Sequence, residues 1–334
     1  MRAVRCVGPG VEVVDVDEPV GDGELIDVTA VSICASDFIY INAGSREIIG
    51  HEIAGRLEDG TPVVVEGIFG CGQCDYCQQG RFNLCARCTL DVLGMTVPGG
   101  MSEHFRAPRR AIVTLPPGLR PEDASLVEPG SVAWHACRMG GVGPDTRVAI
   151  VGAGAIGLLA VAMARSLGAT DIALEARHPH QRAMGEQFGA TEPRGLYDVV
   201  LETAGSESAI RESVELVRPR GVVSYIGVYG TPIAWPYEEA FVKEATIVPA
   251  LGYGPEGSER EFEKVATLLS EQPEITASLI THRFGIEDAA QAFETARDRS
   301  AGTFRVASAP HNTPPLRVRH GKVRTVRAPS PSLP

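Results

Sequence analysis

The chain is 334 residues long and 44% hydrophobic, enough for two packed cores and too apolar for a disordered or fibrous protein. Its 31 Lys and Arg against 42 Asp and Glu give a formal net charge of −11, which argues against nucleic acid and anionic membrane as partners. No run reaches the roughly 18 apolar residues of a membrane span, and residues 1–6 lack the apolar centre of a signal peptide, so the expected location is the cytoplasm.

In chain order, residues 1–31 alternate short β-rich runs (11–16, 25–31) with a turn at 19–23, the pattern of a small barrel-like β domain. The segment 32–37 closes it with Cys34, Ser36 and Asp37, which taken alone reads more readily as a buried cysteine beside a helix cap than as a ligand. Residues 49–55 form a second apolar strand region, interrupted by His51 and Glu52, both of zinc-ligand type. Next come Cys71, Cys74, Cys77 and Cys85, spaced C-x2-C-x2-C-x7-C on a short glycine-containing lobe. Four thiolates can close a tetrahedron around one zinc and leave no open position, so that ion is expected to be structural. An iron–sulfur cluster or a disulfide pair are the alternatives, and a reducing compartment disfavours the second. Cys88 is a spare thiol, while Cys6 and Cys137 read as buried apolar residues.

Residues 148–151 are an apolar run, after which Gly152, Gly154 and Gly157 fit G-x-G-x-x-G and an Ala/Leu-rich helix continues until Gly168. In that strand–turn–helix setting the glycines read as a dinucleotide fingerprint. Gly152 permits the turn, Gly154 lets a pyrophosphate approach, and Gly157 lets helix pack on strand. The free N–H groups of the helix start, at Ala155 and Ile156, face the phosphates. Further units follow: strands at 171–178, 197–205, 221–229 and 246–253, with helices at 208–217 and 258–269. The expected class is α/β, with a doubly wound parallel sheet. NAD enzymes place an acid about 20 residues beyond the glycines, at the end of the second strand. Here Ala176 holds that place and Arg177 and His178 follow, which favours NADP(H): no carboxylate repels the 2′-phosphate and a guanidinium can bind it. Glu175 as the acid, with a one-residue shift, is the reading that gives NAD(H).

The order of these motifs, from the 33–37 segment and Gly50-His51-Glu52 through the cysteine lobe, the 99–104 and 128–136 segments and the glycine loop, resembles the zinc-dependent medium-chain alcohol dehydrogenases of the sorbitol and threonine dehydrogenase branch. The likeness runs from residue 1 to about 309. It implies a Rossmann sheet plus a GroES-like β-barrel catalytic domain, divided as 1–126 (with the zinc lobe at 70–86), 127–272 and a return to the catalytic domain at 273–309. It implies two zincs per chain. The catalytic one is held by Cys34 and His51 with Glu52 or Glu128 as the acidic partner, and Asp37 orients His51. Ser36 takes the alcohol proton; where relatives end the relay on a histidine this chain has Ile39, which leaves Tyr40 or water. Thr203 falls on the turn near the nicotinamide, and His282, within a family signature, reads as structural. The loop between Cys34 and His51 and the turn at 58–62 are shorter than usual. The activity implied is hydride transfer between a secondary alcohol or polyol and NADP(H), by a homodimer or homotetramer. The alternatives are an NAD-dependent polyol or amino-alcohol dehydrogenase and a non-catalytic, zinc-stabilised dinucleotide-binding protein. Residues 310–334, with six prolines, five Lys or Arg and no acid, read as a loose basic tail.

Overall fold

The structure, a computed structural model, describes residues 1–229, 231–256, 259–298, 300 and 302–310; the expected tail from 311 onward lies outside them. Five parallel strands lie in the order Thr246–Pro249, Val217–Tyr225, Tyr197–Glu202, Arg147–Val151, Asp171–Glu175. Thr191 adds one parallel bridge to Ala173 at the far edge. Counting that bridge as a strand restores the 3-2-1-4-5-6 order of dinucleotide-binding sheets, with the third strand reduced to a single residue. Side chains alternate across the sheet. Val148, Ile150, Val199 and Leu201 enter one core while Ala149, Val151, Val200 and Val223 enter the other. Burial on both faces is why these strands are continuous apolar runs in the sequence. Helices Val127–Met139 and Ala155–Ser166 pack on each other in the first core, and Glu261–Glu271 packs on Val127–Met139.

The remaining strands form a largely antiparallel sheet in the order Ile280–Gly285, Arg305–Ala309, Glu24–Ser32, Glu52–Leu57, Pro62–Val65, Ile112–Thr114, with His104–Ala107 also paired to Glu24–Ser32. A hairpin of Arg2–Val7 and Gly10–Asp15 stands beside it. Arg260 fastens the two halves: its guanidinium reaches Glu66 at 2.7 Å and donates to the carbonyls of Ile112 and Arg110. Among the described residues no helix is long and apolar enough to cross a membrane.

Several element limits differ from the sequence expectation. The strand expected over 171–178 stops at Glu175, because Pro179 opens helix Pro179–Gln187 with His178 as its cap. The helix expected from 258 starts at Glu261, since Glu259–Arg260 pairs with Pro255–Glu256 instead. The late strand ends at Pro249, short of 253.

Candidate metal and nucleotide site

Cys34 caps helix Ala35–Asn42 at the end of strand Glu24–Ser32, and its backbone N–H donates to Asp37 Oδ2 at 2.8 Å. Asp37 is fully buried, and its other oxygen lies 3.2 Å from His51 Nδ1, off the line of a good hydrogen bond. His51 therefore turns Nε2 toward the cavity, where Ser36 Oγ is 3.2 Å away. Tyr40 flanks the ring, with centroids 5.8 Å apart. Burial raises the Tyr40 phenol, with His51 and a hydrogen bond to Ser36 pulling the other way. Ser36 and Tyr40 thus both stand beside the His51 ring, while Ile39 supplies no proton acceptor.

Cys34, His51 and Glu52 each bring one ligand atom to within 4.8 Å of the other two. Glu128 lines the same cavity but does not join that cluster. Burial pushes the Cys34 thiol up, yet the hydrogen bond and charge of His51, with Arg305 beyond, bring it down to about 6. Burial pushes Glu128 up to about 7, with His51 opposing. Glu52 is fully buried, and neither carboxylate oxygen has a hydrogen bond among the described residues; its one charge partner is Arg305, 3.0 Å away and itself 4% exposed. A thiolate, an imidazole and an under-satisfied carboxylate converging in a buried pocket fit a zinc ion.

The second cluster, Cys71, Cys74, Cys77 and Cys85, meets the same 4.8 Å criterion, and all four thiols are free. Cys71 and Cys77 sulfurs stand 4.0 Å apart, close to the roughly 3.8 Å expected of two thiolates about 2.3 Å from one tetrahedral zinc. Backbone N–H groups of Gln73 and Cys74 point at Cys71 Sγ, at 3.4 and 3.3 Å, and bring that thiol down to about 6. Gly70, at φ +54°, is required here: a Cβ on it would stand 2.6 Å from Cys77 Sγ.

The glycine loop faces the first cluster across a cavity of about 590 Å³. Gly152 sits at φ +108°, and a Cβ on Gly157 would come 1.8 Å from the Gly152 carbonyl oxygen. Nothing lies within 4 Å of a Cβ on Gly154, the cap of helix Ala155–Ser166, so its surroundings are open. The helix begins without a side-chain cap, leaving first-turn N–H groups, including those of Ala155 and Ile156, for an anion. Thr203 Oγ1 lies 3.0 Å from the Val151 carbonyl and 2.8 Å from that of Gly152, so it ties two strand ends together beneath the loop. At the adjacent strand end Ala176 is 3% exposed, Arg177 is exposed, and His178 stacks on His180 at 5.5 Å. Burial raises the Glu212 carboxyl nearby; Glu175 adds to the rise and Arg177 opposes it.

Two residues that the sequence reading passed over shape this site. Arg305 pairs with Glu52 and donates to the Ile33 carbonyl at 2.8 Å. Glu202, fully buried, accepts from the N–H groups of Ala204 and Gly205 and from Tyr229 Oη, which fixes the turn after Thr203 and ties it to Tyr229. Each is a charged residue within an apolar strand run, a signal that asks for a buried partner. His282 lies on the strand Ile280–Gly285, with Nδ1 3.0 Å from Thr281 Oγ1, and does not line the cavity.

Comparison with known proteins matches the alcohol dehydrogenase GroES-like domain over residues 21–117 and the glucose dehydrogenase C-terminus over residues 122–301. L-galactonate-5-dehydrogenase of Escherichia coli is 29% identical over 307 residues, covering 82% of this chain and 88% of that protein. Among solved structures, an alcohol dehydrogenase of a Thermus species superposes with a TM-score of 0.82 at 27% identity, covering 93% of this chain and 100% of its own. A zinc-binding dehydrogenase candidate of Sinorhizobium meliloti, whose structure holds NADP, gives 0.79 at 26% identity, with coverages of 92% and 99%.

Proposed function

The chain belongs to the zinc-type medium-chain alcohol dehydrogenases, and from that premise we propose that it moves a hydride between a secondary alcohol or polyol and NADP(H), with two zincs per chain. The observation that carries the reading is the convergence of Cys34, His51 and Glu52, the first two lining a cleft that the glycine loop also lines and the third buried behind them. Bound there, zinc would supply a Lewis acid that makes the alcohol proton easier to lose. Cys34 and His51 would hold it, with Glu52 the nearer acid and Glu128 facing the cavity. Asp37, 3.2 Å from Nδ1 of His51, attracts that side of the ring and so favours presenting Nε2. Ser36 stands beside that nitrogen to accept the alcohol proton, and Tyr40 is its next partner. Cys71, Cys74, Cys77 and Cys85 would hold a second, structural zinc. Gly152, Gly154, Gly157, Ala155, Ile156 and Thr203 form the seat for the pyrophosphate and nicotinamide end of the nucleotide.

NADP(H) is preferred over NAD(H) in this reading because the residues that follow the strand, Ala176 and Arg177, offer a guanidinium and no acid, while Glu175, the strand's last residue, is the acid that an NAD(H) enzyme would use. The domain arrangement we propose is 1–126 with 273–309 for the catalytic part and 127–272 for the nucleotide part. A second copy of the chain is the proposed partner, in a dimer or tetramer. The edge of strand Thr246–Pro249, unpaired among the described residues, and the exposed Tyr237, Phe241 and Val242 support that partner.

Metal analysis together with kcat/KM for both nucleotides tests the reading. Two zincs per chain are expected, and a charge-assisted contact to the 2′-phosphate is worth roughly ten- to hundredfold in favour of NADP. Ala176→Asp with Arg177→Ile should reverse that preference. An NAD preference in the wild type would instead make Glu175 the ribose ligand.

A further inference from the structure

Away from the donor cluster, the cavity is walled by Ile39, Ile68, Val92, Leu93, Met95 and Leu251. Among its described lining residues the only charged side chains are Glu128, Arg305, Cys34 as a thiolate and, when protonated, His51, and all four belong to the metal end. The neutral polar groups on the same wall are already engaged. Thr89 Oγ1 donates to the Ala86 carbonyl at 2.9 Å, Cys88 Sγ donates to the Phe82 carbonyl at 2.9 Å, and Ser36 is held by His51. The Tyr40 ring lies at the metal end, beside His51 with centroids 5.8 Å apart. Thr303, whose hydroxyl has no partner among the described residues, sits next to Phe304, and that ring touches His180 at the nucleotide end.

Resting on the dehydrogenase reading above, the geometry points to a substrate with one hydroxyl or carbonyl and an otherwise apolar body, an alkyl or aryl secondary alcohol rather than a polyol. The alcohol oxygen goes to the Cys34, His51 and Glu52 end, and the carbon chain lies along Ile68, Val92, Leu93 and Leu251. Each methylene laid on such a wall gains roughly three- to fourfold in kcat/KM. Each extra hydroxyl buried there without a partner loses roughly tenfold or more. The exchange itself balances as for any alcohol oxidation: the carbinol C–H leaves as hydride to the nicotinamide, the O–H proton leaves by Ser36, and a ketone remains.

The experiment is a kcat/KM series on the zinc-loaded full chain with NADP⁺ and with NAD⁺, from 2-propanol to 2-hexanol and 1-phenylethanol, set against xylitol and sorbitol. The expected result is a rise of roughly threefold per methylene, with 2-hexanol ahead of either polyol by at least about a hundredfold. Val92→Asn should raise KM for 2-hexanol more than it lowers kcat and should shrink that ratio. A flat series, or a polyol equal to 2-hexanol, overturns the inference. If neither class turns over with either nucleotide, the dehydrogenase reading fails separately. Calorimetric titration of the nucleotide-loaded protein with 2-hexanol and with xylitol then decides the wall: binding of 2-hexanol alone supports it, and equal or reversed binding overturns it.

Discussion

The two sulfur-containing clusters reach similar local order by opposite means. In the lobe, four ligands come from fifteen consecutive residues, the sulfurs are served by backbone N–H groups, and three of the four cysteines are only half-buried. In the cluster beside the cavity, the donors Cys34, His51 and Glu52 come from a helix cap and a strand start, Arg305 is added from the last strand, and the carboxylate is fully buried. A contiguous lobe can fill every position around its ion; a set assembled from separate strands leaves one side facing the cleft. Closed against open is the difference between holding a fold and meeting a substrate.

The largest expected effect separates them directly. Cys34→Ser should reduce turnover to background, at least about a thousandfold, while the protein stays folded and keeps one zinc by metal analysis. Wild-type activity in this variant would remove Cys34 from the chemistry. Cys74→Ser should do the reverse in kind: because structural zinc contributes folding energy, its melting temperature should fall by about 10 °C or more, with residual activity in whatever remains folded. Unchanged melting with one zinc lost would mean that the lobe is not a structural clamp.

A smaller effect belongs to the joint between the two halves of the molecule, which lies outside both clusters. Glu66, 2% exposed, holds Arg260 across the two halves of the molecule. Burial pushes its carboxyl from 4.5 up to about 7; Arg260 pulls it down and Glu263 and Glu261 push it up. A carboxyl raised in the folded state contributes stability that is complete below about 4.5 and lost as pH climbs through about 7. Urea unfolding should therefore show the wild type losing on the order of 3 kcal/mol from pH 4.5 to pH 8 relative to Glu66→Gln. Parallel pH profiles for the two proteins would show that Arg260 keeps Glu66 ionised throughout.

The same contrast explains what could be read from the sequence. The lobe and the glycine loop are local constellations, so spacing alone displays them. The parallel sheet is legible because strands buried on both faces are unbroken apolar runs. Helix Val127–Met139 is harder to see, since Pro129 and Gly130 stand in its first turn, where a proline is in fact tolerated. The third strand of the sheet, a single bridge at Thr191, leaves no periodicity to detect. Arg305 escaped because its partner Glu52 lies 253 positions earlier, and no short-range pattern joins them.

The finest test compares the two depressed thiols, Cys34 and Cys71, both brought down to about 6 but for different reasons. At Cys71 the cause is backbone N–H groups of Gln73 and Cys74, which no side-chain substitution removes. At Cys34 burial works upward and His51 prevails over it. Alkylation of the zinc-stripped chain, followed cysteine by cysteine by mass spectrometry, should give midpoints near 6 for both, while Cys88, pushed up to about 11 by burial, stays inert at pH 7. His51→Gln takes away the favourable hydrogen bond and charge but leaves the burial. The Cys34 midpoint should then climb to at least about 9, slowing its alkylation at pH 7 by roughly a hundredfold, with Cys71 unmoved. If both midpoints shift together, the two clusters are coupled through the fold, and the separation between a self-contained lobe and an assembled site is wrong.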